Sequence, residues 1–352
     1  MKRYIKHAIE KLKCMYNYYL LCRAWSKRHE KVKRTVKTFH QSPSVNKYQQ
    51  RWQVLGRKFS SDTLNVCFSI SGEDNLDYVP EEVFEGVIEK KLNKLAPDFM
   101  QHKSFYNRFF PKSIFIPDLF HKMDNVFYSE QHIPIDEDTL KKTLDEITYP
   151  VVAKKSIETA GGRDVHFVKD ADSLKRVMAM YDDVVVQPIL SPHPYFLAFH
   201  DFGLNTIRAC LYKSIKTGKT HLLNTALRMG RDGRLDNVTQ GGLVCRLDEK
   251  GNLNDYAVDK YGNKFFEHPN TKICFSDCEP IPSFEELEAI SINVSDMVPY
   301  AYIISLDLAM DDMGKWKLIE INLEYQTIRF EQYAGKPFFG EFTDEVIEYC
   351  SS

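Results

Sequence analysis

Between Asp307 and Asn322 apolar and polar residues alternate on both sides of a polar stretch, Asp311-Asp312-Met313-Gly314-Lys315. Alternation on two arms with a glycine between them predicts a hairpin. On the second arm Leu318, Glu320 and Asn322 fall on one face, because strand side chains alternate with period two. Asp307 on the first arm can lie opposite them. The same reading predicts strands over 66–70, 149–155, 165–168, 184–189, 205–212, 221–228, 243–247 and 255–258, with the strand 66–70 ended by Ser71-Gly72. Three- and four-residue spacing predicts helices over 1–40, 48–58, 81–95, 172–181, 284–298 and 341–349. Pro80 and the acids after it suit the first turn of the third of these.

The chain is long enough for two or three lobes, and its 43% apolar content is ordinary for a globular protein. No run approaches the roughly 20 apolar residues of a membrane-spanning helix. No secretory signal is predicted, and the spacing of the eight cysteines suggests neither a zinc cluster nor a disulfide framework. A reducing cytoplasm is the expected setting. Charge divides the chain unevenly. Residues 1–60 carry 16 Lys or Arg against two acids, a net +14, and the remainder carries 31 against 47, a net −16. In the first helix Ile5, Ala8, Ile9, Leu12, Met15, Tyr16, Tyr19 and Leu20 form one stripe among lysines and arginines. Such a helix suits an anionic membrane surface, here through residues 1–40. Packing on the body and homodimerisation are the plainer uses of the same stripe. The aromatics lie on that stripe rather than between bases, so nucleic acid is not an expected partner.

Candidate chemistry follows the elements in order. Asp307, Glu320 and Asn322 are three hard oxygen donors of the kind magnesium takes, although a half-buried strand with a polar edge has the same residues. Lys103 stands in Gln101-His102-Lys103-Ser104. The strand ending in Lys154 and Lys155 is followed by Gly161-Gly162 and a second strand. Glycines there let backbone N–H groups approach a phosphate, and Lys154 adds a point charge. The end of the strand 184–189 can present backbone groups to an adenine edge. Pro188 has no N–H, so the donor must come from a neighbour. Arg208 and Arg228, on adjacent strands, can converge, and two arginines aimed at one point call for an anion. Asn237, Gly241 and Gly242 belong to a polar loop suited to wrapping a ligand.

Taken in order, the lysine, strand–Gly-rich flap–strand, hinge strand, paired arginines and Asp…Glu-x-Asn resemble the ATP-grasp superfamily. The C-terminal half is similar to ligases of the ribosomal-protein glutamate ligase type. Leu227-Arg228-Met229-Gly230, Asp236-Asn237, Gly241-Gly242, His268-Pro269 and Ile281-Pro282 resemble the sugar-transfer-associated ATP-grasp group, found among bacterial surface-polysaccharide proteins. The resemblance covers roughly residues 60–335 and implies an α+β fold with two lobes clasping ATP. The expected division is 1–60 basic helical extension, 61–100 reduced segment before the ATP-grasp core, 101–190 small lobe with the flap, 191–340 large lobe with the metal site, and 341–352 tail.

The resemblance also implies roles. Lys103, Lys154, Gly161 and Gly162 would contact the ATP phosphates, and Gln187 and Ile189 the adenine edge. His193 is the candidate for the ribose. Asp307, Glu320 and Asn322 would hold one or two Mg2+ ions, with Mn2+ as a substitute. Arg208 and Arg228 would steady the transferred phosphoryl group, and Asn237, Gly241 and Gly242 the substrate. Lys155 stands where many relatives have proline. The implied activity is a carboxylate–amine ligase working through an acyl-phosphate, with small or glycan-linked acids and amines as substrates, in surface-polysaccharide or related peptide assembly at the inner face of the membrane. A kinase acting on a hydroxyl and a non-catalytic nucleotide-binding subunit are the alternatives.

Overall fold

The computed structural model describes residues 2–157, 164–201 and 203–351. They build two antiparallel sheets and a helical layer, an α+β architecture. The smaller sheet comprises β1 (Phe120–Met123), β2 (Val126–Ser129), β3 (Val151–Lys155), β4 (Val165–Val168) and β5 (Val184–Pro188), in the order β2-β1-β5-β3-β4. Its core is Phe120, Val151, Ala153, Val184 and Val186 against Leu174, Val177 and Met178 of the helix Ala171–Met180. The hairpin β1–β2 was absent from the expected elements. Its signal is the two-residue turn Asp124-Asn125, both with positive φ, which is the geometry that matches strand twist.

The larger sheet comprises β6 (Ile207–Lys213), β7 (Thr220–Met229), β8 (Leu243–Leu247), β9 (Leu253–Val258), β10 (Lys264–Phe265), β11 (Ile303–Met310) and β12 (Trp316–Asn322), in the order β10-β9-β8-β7-β6-β11-β12. Alternation gives it two unlike faces. Ile207, Ala209, Leu211, Leu227, Leu243, Leu306 and Leu308 bury one face, and Leu287 and Val294 of the helix Phe284–Asp296 join their core. On the other face Cys210, Tyr212, Ala226, Val244 and Ile303 meet a helical layer that includes Tyr48, Trp52, Val66, Ile70, Val83 and Phe84. That second face is apolar over one half only. Its other half carries Arg208, Arg228, Asp307 and Glu320 at the wall of a cleft.

Two expectations are corrected. Residues 66–70 are helical, within Asp62–Ser71, and Gly72 at φ +84° caps that helix instead of ending a strand. So short an apolar run has no clear period to separate helix from strand. The second correction is in the hairpin. Asp307 does face Glu320, and Ser305 faces Asn322, but Leu308 pairs with Leu318, so Ile319 is an extra residue in β12. This bulge reverses the alternation. Leu318 therefore enters the core with Trp316 and does not share the face of Glu320 and Asn322.

The first helix spans Lys2–Thr35 and has two apolar faces. Trp25, His29 and Val32 are buried against the body. Trp25 Nε1 donates to Glu85 at 2.9 Å, His29 Nε2 lies 3.0 Å from Glu81, and Lys33 Nζ lies 2.9 Å from Asp62. The expected stripe is the other face. Ile9, Leu12, Met15, Tyr16, Tyr19 and Leu20 are 43–65% exposed. At 3.6 residues per turn this stripe lies about 140° around the helix from the docked one. The side chains of Ile5 and Ala8 fall outside the described residues. No helix among the described residues is long and apolar enough to cross a membrane. All eight cysteines are free thiols.

Candidate functional site

Four neighbouring strands, β7, β6, β11 and β12, build the floor of the cleft. Register places Arg208 beside Asp307, and Asp307 beside Glu320. Arg228 enters from β7, its N–H bonded to the Thr206 carbonyl at 2.8 Å. Asp307 is 4% exposed and receives both arginines. Arg208 Nε donates to Oδ1 at 2.5 Å, Arg208 Nη2 to Oδ2 at 2.8 Å, and Arg228 Nη1 to Oδ2 at 2.8 Å. Burial alone would raise this carboxyl, but the two guanidiniums outweigh it and hold Asp307 well below the usual carboxylate range.

The opposite wall comes from the small sheet. Lys154 is the fourth residue of β3 and is 8% exposed. Burial, and then the Lys103 charge, push its amine down to about 8. The backbone brings the two lysines together: Lys103 N–H donates to the Ser156 carbonyl at 3.0 Å, and Ser104 N–H to Ser156 Oγ at 2.8 Å. Lys103 Nζ then crosses to Glu320 Oε1 at 2.7 Å. Lys103, Lys154, Arg208 and Arg228 thus gather around Asp307 and Glu320 in one part of the cleft. The cleft encloses 1510 Å³. One small ligand fills about 300–1,000 Å³, so there is room for a nucleotide and a second reactant.

The sequence of the large sheet carries a family signature: residues 174–343 match the family model described as sugar-transfer associated ATP-grasp. Over those residues the chain is similar to the ATP-grasp family. No curated protein matches its sequence. Among solved structures, the biotin carboxylase domain of the Hydrogenobacter thermophilus 2-oxoglutarate carboxylase aligns at 14% identity over 72% of this chain and 46% of that one, with a TM-score of 0.42. The Staphylococcus aureus N5-carboxyaminoimidazole synthetase aligns at 7% identity over 72% and 52%, TM-score 0.40. The Coxiella burnetii D-alanine-D-alanine ligase aligns at 12% identity over 72% and 57%, TM-score 0.38. The chain spans about half the length of these proteins.

Not every expected residue reaches the cleft. Lys103, Lys154, Ile189, Arg208, Arg228, Asn237, Asp307, Glu320 and Asn322 line it. Gly161 and Gly162 lie outside the described residues. Gln187 turns its side chain away, Nε2 donating to Asp118 at 2.8 Å. His193 is absent from the lining. Its Nδ1 accepts from Tyr195 N–H at 3.2 Å, which caps the short helix Pro194–Leu197. Gly241 and Gly242 are also absent from the lining. Gly242 is glycine for space, since a Cβ there would sit 2.7 Å from the Met229 carbonyl. The loop before them is anchored by Asp236, which accepts from Thr206 N–H at 2.7 Å and Thr206 Oγ1 at 2.6 Å.

The cleft also holds groups the sequence reading did not single out. Asp164, Asp201, Glu324 and Glu331 line it. Glu331 is 2% exposed, and burial pushes its carboxyl up to about 7. No period or spacing announced Glu331, because it sits on the five-residue helix Arg329–Tyr333.

The donor set is compatible with a divalent ion. Asp307 and Glu320 are opposed on adjacent strands, and Asn322 faces Ser305 one pair further on. Among the described residues no third His, Cys, Asp or Glu joins them to make a metal cluster. Two carboxylates and an amide, with water and phosphate oxygens completing the shell, is the pattern magnesium takes in nucleotide sites.

Proposed function

We propose that this cleft catalyses ATP- and Mg2+-dependent joining of a carboxylate to an amine through an acyl-phosphate. The observation that carries the reading is the convergence of Lys103, Lys154, Arg208 and Arg228 from two facing sheets on Asp307 and Glu320 in one cleft. Two lysines and two arginines brought to one place suit the oxygens of a phosphate chain, and a triphosphate supplies them. Lys154 and Lys103 would hold phosphate oxygens. Arg208 and Arg228 would pass from Asp307 to the transferred phosphoryl group, and then stabilise the oxyanion formed when the amine attacks. Asp307, Glu320 and Asn322 would hold the magnesium, and Ile189 would lie against the adenine. Bound magnesium offsets phosphate charge during in-line transfer. Asn237, which lines the cleft, would contact the second substrate.

Three features of the chain support a setting in surface-polysaccharide or related peptide assembly at an anionic bilayer. One is the match to the sugar-transfer-associated family model. Another is the open apolar face of the first helix. The third is the +14 charge of residues 1–60. The deciding experiment measures ADP release over amino acids and uronic acids, with hydroxylamine present to trap an acyl-phosphate as a hydroxamate. Acid-dependent ADP and hydroxamate, both lost in Glu320→Ala, are expected. Phosphorylated hydroxyl products without hydroxamate would instead identify a kinase. Normal turnover by Glu320→Ala would remove the metal site from the reading.

A further inference from the structure

Beside the arginines, the same sheet face holds a carboxyl group that the reading above leaves unused. Register sets Arg208, Ala226 and Arg246 in one cross-strand row over β6, β7 and β8. The middle residue is only a methyl group, and it lines the cleft. Glu331 reaches this row from the helix Arg329–Tyr333, and its charge is felt by Arg208, Arg246 and Cys210. Neither arginine satisfies it. Glu331 Oε2 is buried with no hydrogen-bond partner, although the residue lines the cleft. Buried carboxylate oxygens are ordinarily bonded, and an exception calls for a reason. A purely structural carboxyl would be expected to close an ion pair with one of its two arginine neighbours.

We propose that Glu331 is the catalytic residue on the acceptor side of this cleft, binding the ammonium form of an amine substrate and taking its proton. The proposal rests on the ligase reading. Its geometry is that of neighbours: adjacent strands lie about 4.8 Å apart, so a group over Ala226 stands one strand beyond Arg208. An amine held there is next to an acyl group whose phosphate Arg208 steadies. A carboxyl of near-neutral pKa is also poised both to accept and to return a proton at pH 7.

The chemistry balances without any further reagent. The ammonium gives one proton to the Glu331 carboxylate and becomes a neutral amine. The nitrogen lone pair forms the C–N bond, and the C–O bond to phosphate breaks, its electron pair leaving on the phosphate oxygen. The second N–H proton goes to the departing phosphate, and Glu331 later returns its own proton to water.

The test compares two nucleophiles with an acid that supports ADP release. An alkylamine is protonated at pH 7 and needs the base, whereas hydroxylamine arrives uncharged and does not. Glu331→Gln keeps the shape of the side chain. It is expected to lose about 10²-fold or more in amide formation, and to be rescued when hydroxylamine replaces the alkylamine. The wild-type amide rate should rise with pH through an apparent pKa near that of Glu331, and the hydroxamate rate should lack this limb. This profile needs no variant, so the proposal stays open to refutation if Glu331→Gln does not fold. Equal losses with both nucleophiles, or the same pH limb with both, would overturn the role of Glu331 and leave the ligase intact. Absence of any hydroxamate with the wild-type protein would overturn the ligase reading and this proposal together.

Discussion

Asp307→Asn is the most informative single change, because it removes one charge from between two. The carboxylate is 4% exposed and receives three charge-assisted hydrogen bonds. Its partners are less buried: the Arg208 and Arg228 side chains are 19% and 13% exposed. Removing one member of a buried ion pair costs about 3–5 kcal/mol, chiefly by stranding the other. Because the arginines keep some hydration, the lower end applies, about 3 kcal/mol. Asparagine also turns an amide donor toward guanidinium donors, so it recovers little. Urea unfolding of wild type, Asp307→Asn, Arg228→Gln and the double variant forms the cycle, and a coupling above about 1 kcal/mol is expected. The sign with pH is definite. The Asp307 carboxyl is lowered in the fold, so its contribution is full above the unfolded carboxylate pKa and is lost only as pH falls through the depressed folded value. The deficit of the variant should therefore persist into mildly acid solution. Tripolyphosphate should stabilise the variant more than the wild type, since it binds the released arginines in the folded state alone. A loss under about 1 kcal/mol, or a deficit abolished by about 1 M salt as in a screened surface pair, would refute the view of Asp307 as the buried counter-ion of this cleft.

Two further outcomes are expected. Lys154 is held down to about 8 by burial and Lys103. A triphosphate placed against it should raise that value, so nucleotide binding at pH 8–9 takes up protons. Calorimetry in buffers of unlike ionisation enthalpy measures this uptake, and Lys154→Met should abolish it. At the first helix, phosphatidylglycerol vesicles should sediment the wild-type protein in a salt-dependent way, each basic residue near the surface contributing about 1 kcal/mol. Leu12→Glu with Tyr16→Glu should release it, and a concentration-dependent dimer without vesicle binding would assign the open stripe to a second copy of the chain.

Local pattern determined much of this protein. Period two marked the long antiparallel strands and brought the arms of Asp307 and Glu320 together, because hairpin partners are neighbours in sequence; the bulge at Ile319 then set Asp307 opposite Glu320. The composition of residues 1–60 likewise declared a basic helix with an apolar stripe. The tertiary structure decided what depends on residues distant in sequence. The bulge at Ile319 reversed one arm of the hairpin and put Leu318 in the core. Residues 66–70, too short a run to show a period, fold as part of the helix Asp62–Ser71. Asp118 drew the Gln187 amide off the cleft, and the backbone of Tyr195 claimed the His193 ring. Which face of the first helix docks was settled by Glu81, Glu85 and Asp62, not by the helix itself. Glu331 shows the limit most plainly: nothing in its own segment distinguishes it, and only the row of Arg208, Ala226 and Arg246 gives it surroundings. Alternation records which side a residue faces, but a partner brought from a hundred residues away sets its charge state and what it can bind.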